Sequence, residues 1–112
     1  MQKTLIQINR NGMGAGDEEL GLILIKNYLK LICEETKKPN FIVFYNEGVK
    51  LICQNSLVLD ELKLLQNLGV KLIACKTCLN HFNLLNNIEV GVAGTMMDII
   101  EIQKVATKVI TL

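Results

Sequence analysis

The feature that most constrains this chain is a pair of short, nearly unbroken apolar runs separated by helix-like stretches. FIVFY at 41–45 and VKLIAC at 70–75 carry almost no polar side chains. A strand with one wet face alternates apolar and polar residues. A near-continuous run of five or six instead suits a strand covered on both faces, as in a parallel sheet. Segments 3–9 and 107–112 read as further strands, and 88–92 as a weaker fifth. Between them, helices are predicted over 17–37, 57–68, 78–85 and 95–105. Asp17, Glu18 and Glu19 open the first, Ser56 and Gly69 bracket the second, and Pro39 lies beyond the first one's end. The alternation predicts an α/β three-layer sandwich: a mainly parallel sheet of four or five strands, right-handed crossovers, and helices on both faces. Segments 3–9, 41–45 and 70–75 are expected as adjacent central strands.

The chain has 112 residues, enough for one domain (1–112) with one core. Half of it is apolar, 21% is charged, and mean hydropathy is +0.32. The first predicted helix carries two apolar stripes, one of Leu20, Leu24, Tyr28 and Leu31, the other of Leu22, Ile25, Leu29 and Cys33. Covering a sheet needs one stripe. The other points to a second helix or to a subunit contact, so a homo-oligomer is expected. The longest strongly apolar run, 20–25, is far short of a bilayer span. The first ten residues lack a secretory signal's apolar stretch, so a cytoplasmic location is expected. A net charge of +1 with no basic block argues against nucleic-acid or membrane-surface binding.

The chemistry-bearing residues follow strand ends, which is where parallel α/β domains place their sites. Asn11, Gly12, Gly14, Gly16 and Asp17 follow the first strand; Asn46, Glu47 and Gly48 follow the second. The glycine loop opens a helix whose N–H groups suit an anion. It lacks the Lys-Ser/Thr of a P-loop, and its acids oppose phosphate; a plain turn and helix start is the better reading of it. Cys75, Lys76, Thr77 and Cys78 follow the third strand. This C-x-x-C has several readings. A zinc site would recruit His81 and Cys33 or Cys53. A thioredoxin-like dithiol would carry its motif earlier, with a facing proline. A thiolate nucleophile fits a helix start, with Lys76 nearby and His81 one turn on. A purely structural pair is the fourth. On the nucleophile reading, Cys78 is the more reactive, because first-turn N–H groups would lower its pKa while burial disfavours a Cys75 thiolate. Met96 and Met97 read as packing residues.

Three separated segments carry a family resemblance: GxGDEELGxxLI over Gly14–Ile25, YNEGVKL over Tyr45–Leu51 and ACKTCLN over Ala74–Asn80. With the VGVAG turn and the VITL ending, they resemble the DsrE/F-like superfamily over essentially the whole chain. The nearest branch is the YedF-type one, sulfurtransferases associated with selenium metabolism. The resemblance implies a small α/β sandwich, a cysteine that carries sulfur as a persulfide, and assembly into dimers, trimers or hexamers. Cys78, with Cys75 beside it, would be catalytic. Asn11, Gly14, Gly16, Asn46, Gly48, Lys76 and Thr77 would form the substrate walls, with no metal and no cofactor. The branch has glycine where Lys76 stands. It also carries an N-terminal TusA-like domain with a Cys-Pro motif, which has no counterpart here. The chain is then a standalone domain, an excised one, or a copy that works on a separate TusA-like sulfur carrier, the partner the resemblance implies. The alternative function is a non-catalytic ligand- or protein-binding module with structural or redox-sensing cysteines.

Overall fold

The structure is a computed structural model that describes residues 2–112. Five strands, β1 (Thr4–Ile8), β2 (Phe41–Phe44), β3 (Lys71–Cys75), β4 (Val92–Gly94) and β5 (Lys108–Thr111), form one sheet in the order β4-β3-β2-β1-β5. Every pairing is parallel. The helices are α1 (Glu18–Glu34), α2 (Leu59–Asn67), α3 (Lys76–His81) and α4 (Met96–Val105). The α/β sandwich is thus present, with the three apolar segments as the adjacent central strands.

Sheet position explains the apolar runs. Leu5, Ile6 and Ile8 of β1 and Ile42, Val43 and Phe44 of β2 are buried, whereas the edge strands expose Val92 and Val109. The order also fixes the layers. Successive crossovers β1→β2 and β2→β3 run the same way across the sheet, so α1 and α2 share one face and meet each other. Lys26 of α1 donates to the Leu57 carbonyl ahead of α2 at 2.9 Å. The return from β4 to β5 reverses direction and carries α4 to the opposite face. There Gln103 Nε2 donates to Gln7 Oε1 at 2.7 Å, and Gln7 Nε2 donates to Thr111 Oγ1 at 2.9 Å. Gln7 is thereby a buried amide with both ends bonded.

The two stripes of α1 separate as a single-sheet helix requires. Ile25 and Leu29 are buried, with Leu22 and Cys33 half-buried beside the core. Leu20, Leu24 and Leu31 are exposed, Leu31 to 62%, and only Tyr28 of that stripe packs against the core.

Several boundaries differ from expectation. α1 stops at Glu34, because Glu35 is already extended, and α2 starts at Leu59. Residues 46–52, for which no element is predicted, form a 3₁₀ helix (Asn46–Ile52) with Gly48, Val49, Leu51 and Ile52 buried. The strand expected at 88–92 lies instead at Val92–Gly94. Ile88 makes an isolated antiparallel bridge to Cys53, so this part of the chain is still tied to the 3₁₀ segment before it enters the sheet. The helix expected at 78–85 starts two residues earlier and ends at His81, followed by a 3₁₀ turn at Leu85–Asn87. Among the described residues, no helix is long and apolar enough to cross a membrane.

Candidate functional site

The carboxyl ends of β1, β2 and β3 carry the candidate residues, and one glycine fits two of these ends together. Gly48 is buried against the end of β1, and a Cβ there would run into the Ile8 carbonyl. Tyr45 N–H donates to that same carbonyl at 3.1 Å, and Asn9 Nδ2 donates to the Tyr45 hydroxyl at 3.4 Å. Gly48 thus serves close approach of backbone to backbone, rather than forming a wall open to substrate. The contact seats the 3₁₀ segment, whose first residue, Asn46, adopts φ +50°. Asparagine tolerates this left-handed region better than most residues.

That seating aims a backbone donor at sulfur. Asn46 N–H donates to Cys78 Sγ at 3.1 Å, across 32 residues of sequence. Cys78 is the third residue of α3 and is half-buried; Cys75, its N-cap, is 1% exposed. The expected lowering of the Cys78 pKa is not what the geometry gives. Burial pushes the thiol up, and the hydrogen-bonded Cys75 side chain pushes it further, against weaker downward pulls from the Asn46 and Cys78 backbone N–H groups. The physical reason is that Cys78 lies deeper than a solvent-facing helix start, beside a second thiol. Lys76 and Thr77 are exposed at the opening of α3.

Asn11, Gly14 and Gly16 lie elsewhere along the same edge. With Asp17, Glu47 and Lys50 they line a cleft of about 320 Å³ that includes neither cysteine. The loop is pinned to α1: Gly12, at φ +151°, sits so close to Gly21 that a Cβ would be 2.9 Å from its carbonyl carbon, and Met13 N–H donates to Gly21 O at 2.9 Å. Asp17 caps α1 by accepting from Leu20 N–H at 2.8 Å. One helix-start donor is therefore already taken by a carboxylate, and Glu18 and Glu19 follow it. The loop reads as a turn and capped helix start rather than an anion cradle.

Lys50 joins the cleft to α3, a link sequence reasoning missed. Its Nζ is 3.2 Å from Glu47 Oε2 and 4.7 Å from the Phe82 ring centroid, next to the end of α3. The only available signal was its place in the YNEGVKL run. His81 is exposed and meets Phe82 edge-on, with ring centroids 5.1 Å apart. Among the described residues, no three His, Cys, Asp or Glu side chains converge so as to hold a metal ion. Cys53 is buried with its thiol 3.3 Å from the Val49 carbonyl, and Cys33 sits 3.7 Å from the Glu61 carbonyl; the zinc reading finds no ligand set in them.

The chemistry available is that of a thiol pair at a sheet edge, one sulfur reachable and touched by a fixed N–H, the other buried behind it. The arrangement suits nucleophilic attack on sulfur and exchange between sulfurs.

Two solved structures share the fold over their full lengths and that of this chain. The ychN protein from E. coli matches at TM-score 0.75 and 22% identity. MTH1491 from Methanobacterium thermoautotrophicum, a protein of unknown function, matches at TM-score 0.71 and 21% identity. No curated protein matches in sequence. The model of the DsrE/DsrF-like family matches residues 2–112, and the chain belongs to that family.

Proposed function

We propose that the protein relays sulfane sulfur through a persulfide on Cys78. The Cys78 thiolate attacks the outer sulfur of a donor persulfide or polysulfide. The donor's S–S bond breaks, a thiolate or shorter polysulfide leaves, and Cys78 carries the sulfur as Cys–S–S⁻. An acceptor thiolate then attacks that outer sulfur, and Cys78 departs as thiolate. The observation that carries this reading is the Asn46 N–H donating to the half-buried Cys78 sulfur at 3.1 Å. A fixed donor there favours anionic sulfur in the attacking and the loaded states. The membership of a DsrE/DsrF-like family supports it. Lys76 and Thr77, exposed beside the sulfur, are the residues a partner would meet first.

Four free thiols suit a reducing, cytoplasmic setting. A TusA-like carrier is the acceptor that the YedF-type resemblance implies. Selenium in place of sulfur would use the same steps. Exposed Leu20, Ile23, Leu24 and Leu31 on α1 support a homo-oligomer, which light scattering at micromolar protein would reveal as a mass above the monomer's.

The test is intact-mass spectrometry after brief exposure to inorganic tetrasulfide. Cys33→Ala and Cys53→Ala are expected to gain sulfur as the parent chain does, and Cys78→Ala is expected to gain none. Undiminished uptake by folded Cys78→Ala would overturn the reading.

A further inference from the structure

Cys75 occupies the N-cap of α3 and Cys78 the third helical position. In a capping box the side chain at each of these positions reaches the other's backbone N–H, which puts both on the same side of the first turn, and here the Cys75 and Cys78 thiols are hydrogen-bond neighbours. The same molecule shows the reach. At the start of α4, Thr95 and Asp98 hold the same two positions, with Thr95 Oγ1 accepting from Asp98 N–H at 3.2 Å and Asp98 Oδ2 accepting from Thr95 N–H at 2.8 Å. In α3 the two positions hold thiols, and no side-chain capping bond forms. Both thiols are free, Cys75 is 1% exposed, and Cys78 is half-buried. A buried thiol behind a reachable one is poorly placed to meet a donor or an acceptor. Its accessible partner is the Cys78 sulfur itself.

From this juxtaposition we propose that Cys75 is a resolving cysteine, which discharges a loaded Cys78 as hydrogen sulfide when no acceptor arrives. The proposal rests on the persulfide reading of Cys78. The Cys75 thiolate attacks the inner sulfur of Cys78–S–SH. A Cys75–Cys78 disulfide forms, the bond to the outer sulfur breaks, and that sulfur leaves as hydrosulfide. The proton given up by Cys75 balances the hydrosulfide as H₂S. The sulfane sulfur is reduced by two electrons, and the two cysteines are oxidised by the same two. One discharge needs no outside reductant. Resetting the pair needs an external thiol, by ordinary thiol–disulfide exchange. Attack on the outer sulfur instead would leave the persulfide on a residue that partners cannot reach. The site therefore has two exits, an acceptor thiol or free sulfide, and Cys75 sets how long the first remains open.

The experiment uses the reduced full chain, loaded briefly with inorganic tetrasulfide, desalted, and followed by intact mass and by sulfide release. The loaded parent chain is expected to lose the added sulfur and to settle at the reduced mass less two hydrogens, with about one sulfide released per loaded chain. Cys75→Ser, and Cys75→Ala as a second variant checked for folding by circular dichroism, are expected to hold the sulfur about tenfold longer or more, because the intramolecular attack is gone. A parent chain that loads but keeps its sulfur as long as both variants overturns the resolving role and leaves the relay reading standing. A folded parent chain and folded variants that gain no sulfur at all overturn both.

Discussion

Two helices begin side by side at the carboxyl edge of this sheet, and they begin differently. Cys75 pairs in register with Gly94, so α3 and α4 leave neighbouring strands at nearly the same height. α4 starts with a complete capping box from Thr95 and Asp98. α3 starts with Cys75 and Cys78 in the same two positions, no side-chain cap, and a helix of only six residues. A good cap contributes about 1 kcal/mol by satisfying first-turn N–H groups that otherwise lack partners. Thiols do this poorly. The α4 start is arranged for stability. The α3 start gives up that stabilisation and gains a pair of sulfurs, one of them met by an N–H from another loop. A site that works against local stability is where function is expected to sit.

The largest expected effect comes from making the two starts alike. The double variant Cys75→Thr/Cys78→Asp installs at α3 the box that α4 already has. It is expected to lose sulfur uptake entirely and to gain about 1 kcal/mol of stability, a rise in Tm of roughly 4–8 °C. Thermal melts and intact mass check the two halves separately. Retained uptake, or a lowered Tm, would break the comparison.

Gly48→Ala comes next. The new methyl would meet the Ile8 carbonyl and shift the segment that presents Asn46. Overpacking of this kind costs about 1–3 kcal/mol, to be read from denaturant unfolding. Alkylation of Cys78 should change in the same variant. The converse variant, Thr95→Ala, is expected to cost about 1 kcal/mol while sulfur uptake stays unchanged, since it removes the α4 cap and touches neither thiol.

The smallest effect is on pH dependence. Burial raises the pKa of Cys53 and Cys78 above the ordinary cysteine value, so the fold favours the neutral thiols. That contribution is fully present below the unfolded cysteine pKa and is lost as pH rises through the higher folded values. Stability should therefore decline on the alkaline side, more gently in Cys78→Ala than in the parent chain. Sulfur uptake moves the opposite way. The thiolate is the nucleophile, so its rate should climb with pH through and beyond the ordinary cysteine range.

How much of this was legible in the sequence follows from which forces are local. β1, β2 and β3 announce themselves because strands covered on both faces must be apolar almost throughout. β4 does not, because Val92-Ala93-Gly94 is three residues long at an exposed edge, and its pairing is decided by β3. Asn46-Glu47-Gly48 looks like a turn. It forms part of a 3₁₀ helix because Gly48 fits against Ile8, a contact made 40 residues away in sequence. The start of α3 is hidden for a different reason: cysteine is not among the residues that mark an N-cap, so the predicted helix over 78–85 begins two residues late. The C-x-x-C itself was visible. The burial that raises its reachable thiol, and the Asn46 donor across 32 residues, were not.

The proposed relay requires that Cys78, and not Cys75, is the sulfur that meets the outside. It is tested most directly by alkylating the reduced Cys75→Ser and Cys78→Ser variants with iodoacetamide over a pH series, in a background lacking Cys33 and Cys53. The expected result is that the chain retaining Cys78 reacts faster at neutral pH, with a rate still rising above the range of an ordinary free cysteine. If the chain retaining Cys75 reacts faster, the buried and reachable roles are reversed and the account is contradicted.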